Sequence, residues 1–187
     1  MNSEQKKLDR PYLAFQWWET LNGKREGKGQ TGKDRAALAR LRRALPDEAM
    51  CEEATLRLFR ALGYTSPNSL PRVATLAAVL ATIRDDKSGK FGRQIGREKI
   101  DDDQTAKLKI LRFKRLLDAQ TEEEIATAFR RAIAILGDAA NVRDVAGYML
   151  CFDNEAKRRQ LVFDYYGAGE NQSNPPQTEA QPVPSAA

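Results

Sequence analysis

The stretch A-K-L-K-I-L-R-F-K-R-L-L, Ala106 to Leu117, decides how the chain is read. At helical pitch Ala106, Ile110, Phe113 and Leu117 fall on one apolar stripe. Leu108 and Leu111 point to a second side, so two neighbouring elements are expected to pack on this helix. Lys107, Lys109, Arg112, Lys114 and Arg115 project between the stripes, with no acid among them. Two readings fit: a core helix with solvated basic edges, or a rigid rod holding cations toward a polyanion. The rest of the chain has to choose between them.

Composition narrows the choice. The chain has 187 residues, 31 Lys and Arg against 26 Asp and Glu, and a formal net charge of +5. From Gly167 onward the only charges are Glu170 and Glu179, so the body is more basic than the whole. That balance fits a nucleic-acid partner without requiring one. There is no histidine, which excludes Ser-His and Cys-His nucleophiles, imidazole bases and the commonest zinc ligand. No catalytic group, metal site or cofactor is expected. Cys51 and Cys151 stand alone, without a C-x-x-C neighbour or a secretory signal, and read as reduced, partly buried thiols of a cytosolic protein. No run of 18 apolar residues spans a membrane.

Working outward from the basic helix, Asp101 to Asp103 is expected to supply its N-cap and a negative first turn. After it, Thr121 and Glu124 form a T-x-x-E capping box for a helix with Ile125, Phe129, Ile133 and Leu136 inward, ended by Gly137. Arg130 lies on the flank of that helix and Arg131 on the face opposite its apolar stripe. Asn141 caps the next helix, and Asn154 caps the last, where Leu161, Val162, Tyr165 and Tyr166 follow Lys157-Arg158-Arg159.

On the other side, Pro11 opens a helix bearing Trp17 and Trp18, whose apolar spacing favours the core over base stacking. Gly23 to Lys33 is rich in glycine and cations, but Lys33 is followed by Asp34 rather than Ser or Thr, so it is not a phosphate loop. A basic loop that orders on a phosphate backbone and a solvated linker both remain open. Asp34 to Leu45 reads as a helix broken by Pro46, and Asp47 caps a helix running through Leu62 to Gly63. Ser69 caps a helix with Val73, Leu76, Ala77, Leu80 and Ile83 on its stripe. In Asp85 to Gly96 the apolar pair Phe91 and Ile95 is expected to dock while Lys87, Lys90 and Arg93 stay outside. No segment alternates at period 2. The fold class is therefore all-α, a helical bundle in two halves: residues 1–100 with basic loops, then 101–166, with a disordered tail over 167–187.

Cations gather at Lys24–Lys33, Arg35–Arg43, Lys87–Arg97, Lys107–Arg115, Arg130-Arg131 and Lys157–Arg159, whereas acids gather at helix starts. No zinc-finger spacing, RNP string or helix-turn-helix marks a sequence reader, so backbone contact without base preference is expected. Four stretches then carry a resemblance: G-K-D-R-A-A-L-A-R-L-R-R at Gly32 to Arg43, F-G-R-Q-I-G at Phe91 to Gly96, R-F-K-R-L-L-D-A at Arg112 to Ala119, and K-R-R-Q-L-V-F-D-Y-Y at Lys157 to Tyr166. In order and spacing, over most of residues 11–166, they resemble the CasB family, the small subunit of the type I-E CRISPR surveillance complex Cascade.

The resemblance implies a cytoplasmic, non-enzymatic helical subunit that pairs with a second copy of itself and assembles with other Cascade subunits. Its basic surface would contact CRISPR guide RNA and target DNA, including the displaced single strand. By motif, the expected phosphate contacts are Arg35, Lys87, Lys90, Arg93, Arg112, Arg115, Arg131 and Arg158. Two other readings stay open: a stand-alone helical DNA-binding regulator, and a structural adaptor whose basic strips meet acidic protein partners.

Overall fold

The structure is a computed structural model that describes residues 8–24, 32–98 and 104–168. Those residues form ten α-helices and one two-stranded parallel ladder, in line with the all-α expectation. The tail beyond 168 and residues 25–31 of the first glycine-rich stretch lie outside the described residues.

Helix α5, Leu70–Leu80, is the centre of the packing. Every residue from Val73 to Leu80 is buried, not only the expected stripe. A helix that is apolar all round belongs inside a protein. Its hydroxyl is satisfied within the helix, because Thr75 Oγ1 donates to the carbonyl of Pro71 at 2.9 Å. Around it pack α2 (Arg35–Arg43), α3 (Pro46–Ala49), α4 (Glu53–Ala61), α8 (Glu122–Ile135) and α9 (Val142–Leu150). Helix α1, Arg10–Leu21, lies across α9 and meets α4. Its tryptophans are core residues: Trp17 Nε1 donates to the Ala54 carbonyl at 2.9 Å and Trp18 Nε1 to that of Ile83 at 3.0 Å. These bonds let the indoles be buried without an unpaired donor.

The basic stretch is peripheral, which corrects its expected place. Helix α7 runs only over Ile110–Asp118, with Lys109 at the N-cap position; Asp101 to Asp103 lie outside the described residues. Within the helix Phe113 and Leu116 are buried, while Leu111 is 71% exposed, so the second apolar side meets no neighbour. Ala106 and Leu108 are buried from the irregular segment that leads in. Phe113 stacks on Tyr165 with ring centroids 3.8 Å apart, and Tyr165 Oη donates to the Leu108 carbonyl at 2.7 Å. One aromatic pair thus ties both parts of the stretch to α10, Glu155–Tyr165.

The single helix expected from Asp47 to Leu62 is two helices, α3 and α4, separated at Met50 to Glu52. Ala49 and Leu58 are both fully buried. Nine residues apart, they would face opposite sides of an unbroken helix at about 100° per residue. The break lets both helices turn their apolar sides to α5. The N-cap signals at Asp34, Asn141 and Asn154 hold, and Thr121 with Glu124 forms the expected reciprocal box. Cys51 and Cys151 are exposed rather than partly buried, because one sits in the α3–α4 turn and the other just beyond α9.

In the segment from 85 to 96, β1 (Asp85–Asp86) pairs in parallel with β2 (Ala139–Ala140), and α6 spans Phe91–Ile95. Phe91 and Ile95 are fully buried, as their docking role requires. Gly92 and Gly96 give the F-G-R-Q-I-G motif a physical reason. A Cβ on Gly92 would stand 2.6 Å from the Cβ of Asp164, and one on Gly96 would collide with the Tyr165 carbonyl. The glycines let α6 lie directly on the backbone of α10. Gly92→Ala is therefore expected to lower stability by about 1–3 kcal/mol, the usual cost of overpacking, read as a fall in the urea midpoint at unchanged slope.

Candidate nucleic-acid interface

Helices α7 and α8 are joined by the short turn Ala119 to Thr121. The turn is fixed because Glu124 Oε2 accepts the backbone N–H groups of Gln120 at 2.9 Å and Thr121 at 3.1 Å. Those bonds also lower the pKa of Glu124 from the ordinary glutamate value. Between the two helices opens a groove of about 880 Å³. Arg112 and Arg115 reach it from α7 and Arg131 from α8. All three are exposed, and among the described residues none forms an ion pair or a side-chain hydrogen bond. Leu108, Ala119, Ala128 and Ile135 contribute apolar surface.

Elsewhere cations are largely matched. Arg40 pairs with Glu52, Arg57 with Glu53, Arg84 with Asp138, Arg143 with Asp9 and Arg159 with Glu155. Two arginines are structural. Arg72 binds Glu122 at 2.6 Å, Asp153 at 3.1 Å and the Met149 carbonyl at 3.1 Å, joining α5 to α8 and the end of α9. Arg130 donates to the carbonyls of Leu41 at 3.1 Å and Ala44 at 2.8 Å, closing the C-terminal end of α2, and burial lowers its pKa. So the pair Arg130-Arg131 is split: one guanidinium faces inward, the other the groove. Lys107 and Lys114 add exposed cations on the α7 side.

The loop cations have a different setting. Lys90 Nζ lies 2.8 Å from Asp164 Oδ1, where the carboxylate is only 4% exposed. Asp164 also accepts from Tyr148 Oη at 2.8 Å and from Gln160 Nε2 at 3.0 Å. Nearby, Asp144 accepts the Phe91 N–H at 2.6 Å, and burial raises its pKa. Arg93 donates to the Arg97 carbonyl at 2.7 Å and lies against Gly167. Lys90 and Arg93 thus clamp α6 to α10. Lys87 and Arg35 are exposed and Arg158 is half-buried, and none of the three lines the groove. The structure brings together Arg112, Arg115 and Arg131 of the eight expected contacts. It also puts Asp118 and Glu123 in the same groove, which the sequence did not single out. The acidic start of α8 is explained by the helix dipole alone, so it carried no signal of a groove.

Fold and groove define an all-helical protein with uncompensated arginines along one interhelical groove. Among the described residues no helix is long and apolar enough to cross a membrane. The family model described as CRISPR-associated protein Cse2 matches residues 37–166, well over half of the chain, and takes in the groove, α6 and α10. The chain belongs to the Cse2 family, the small subunit of the type I-E CRISPR Cascade complex. Arg35 precedes the matched region; the other seven expected contacts lie within it. No curated protein and no solved structure matches the chain.

Burial pushes the Tyr148 phenol well above the ordinary tyrosine value, and its bond to Asp164 adds to the rise. Folding stability from this group is complete below the unfolded pKa of about 10 and is lost as pH rises toward the folded value. Tyr148→Phe is expected to cost about 1–2 kcal/mol at neutral pH by leaving Asp164 a donor short. It should also flatten the fall in stability above about pH 10; denaturant melts across that range check both.

Proposed function

We propose that this Cascade subunit acts without catalysis, by offering cations to nucleic-acid backbones. The observation that carries the reading is the groove where Arg112, Arg115 and Arg131 converge without a counter-ion among the described residues. Guanidinium forks suit phosphate oxygens, and a protein that supplies them without base-edge readers binds any sequence. The polyanions at hand in such an assembly are the guide RNA, the target DNA and the displaced single strand. R-loop formation is a near-balanced exchange of one duplex for another, so a few backbone contacts can tip it.

Lys87, Arg35 and Arg158 extend the proposed track beyond the groove. Lys90 and Arg93 contribute by holding α6 in place, with whatever charge they still present to solvent. A second copy of the chain and the other Cascade subunits complete the proposed partner set, and the setting is cytoplasmic.

Charge reversal at Arg112→Glu together with Arg131→Glu tests this. Helix content should be unchanged, because neither side chain holds the fold together. Affinity for a single-stranded oligonucleotide should fall, and the slope of log affinity against log salt should shrink by about two, roughly one for each lost phosphate contact. Assemblies rebuilt with this variant should retain the R-loop less well. Wild-type affinity, salt slope and strand protection in the double variant would remove the basis of the reading.

A further inference from the structure

The α7–α8 groove holds uncompensated charge of both signs. Alongside its arginines stand Asp118, at the last position of α7, and Glu123, in the first turn of α8. Both are exposed, and among the described residues neither takes part in an ion pair. Arg115 is three residues before Asp118 on the same helix, a spacing at which such side chains can meet, yet they do not pair. Glu124 already accepts two backbone N–H groups. The positive N-terminal end of α8 accounts for Glu123. It does not account for Asp118, which lies at the negative end of α7, where helix electrostatics disfavour a carboxylate.

We infer that the turn end of this groove is a docking seat for a protein segment from another subunit of the assembly. That segment presents a lysine or arginine beside compact apolar side chains. A nucleic acid brings one sign of charge only: its phosphates suit the arginines and are repelled by Asp118 and Glu123. A polypeptide can bring a cation to the carboxylates and apolar groups to the surface between them. Ala119 and Ala128 line the groove with small side chains, which leaves depth for larger ones to enter. Membership in a multi-subunit complex supplies the partner. The arginine end remains for phosphate, so protein and nucleic acid would lie next to each other along one groove.

The test adds purified small subunit to an assembly lacking it and measures how tightly it joins, with binding of the free protein to a single-stranded oligonucleotide measured in parallel. Two variants are used: Asp118→Lys/Glu123→Lys reverses the acids, and Ala128→Trp fills the groove without changing charge. Each should weaken joining by about tenfold or more. The acid reversal should leave oligonucleotide binding undiminished. Should either variant melt below the wild type, Asp118→Asn/Glu123→Gln replaces it and should weaken joining in the same direction. Wild-type joining by a folded variant overturns the inference. Tighter oligonucleotide binding with unchanged joining does so too, and gives the whole groove to nucleic acid. Arg112→Glu/Arg131→Glu in the same series reports on the nucleic-acid reading alone, so the two can fail separately.

Discussion

The burial of α5 on every side is the constraint from which the other packing follows. A helix with no polar face has to be enclosed, and the chain encloses it with helices drawn from both ends of the sequence. Those helices share one apolar cluster that runs from Ala14 in α1 to Tyr165 in α10. The break between α3 and α4 belongs to the same demand, since a straight helix could not turn both Ala49 and Leu58 toward α5. Fully burying a Val or Leu side chain stabilises by roughly 1.5–3 kcal/mol. An element whose eight successive residues are buried therefore dominates its neighbours.

With the core closed around α5, basic residues divide by what reaches them. Arg72 and Arg130 are drawn inward to finish helix ends and to bridge elements. Lys90 is held by a buried carboxylate that also binds Tyr148 and Gln160. The arginines left over face the groove beside α7, an element secured mainly through Phe113 and Leu116. A peripheral helix fixed by one apolar face can hold cations outward, and an interior helix cannot. The place of α7 at the rim, rather than at the centre, thus favours the polyanion reading of its basic edge.

That division also gives the F-G-R-Q-I-G motif two linked roles. Its glycines allow backbone contact with α10, and Lys90 and Arg93 fasten the same junction. Asp86 Oδ1 accepts the Val142 N–H at 2.9 Å, so the loop that carries Lys87 is anchored to the start of α9 as well. A cation on such a loop keeps a defined position without an ion pair of its own. The groove arginines and this loop are thereby parts of one rigid framework, well suited to present charge at fixed intervals along a strand.

Much of this was legible from local chemistry. The all-α class follows from apolar spacing and the lack of period-2 alternation, and the caps at Asp34, Thr121, Asn141 and Asn154 depend on residues within four positions of each other. The burial of Trp17, Trp18, Phe91 and Ile95 follows from the same spacing. What lay beyond the sequence was decided by long-range packing. Periodicity shows that a helix has an apolar side but not whether a neighbour covers it, so α7 looked central while Leu111 is bare. A list of arginines cannot tell Arg130 from Arg131, although one closes the end of α2 and the other edges the groove. Nor could it place Asp118 and Glu123 opposite those arginines, because that meeting exists only once α7 and α8 fold back on each other. Local rules set the elements; burial around α5 assigned each charge its partner or left it to solvent.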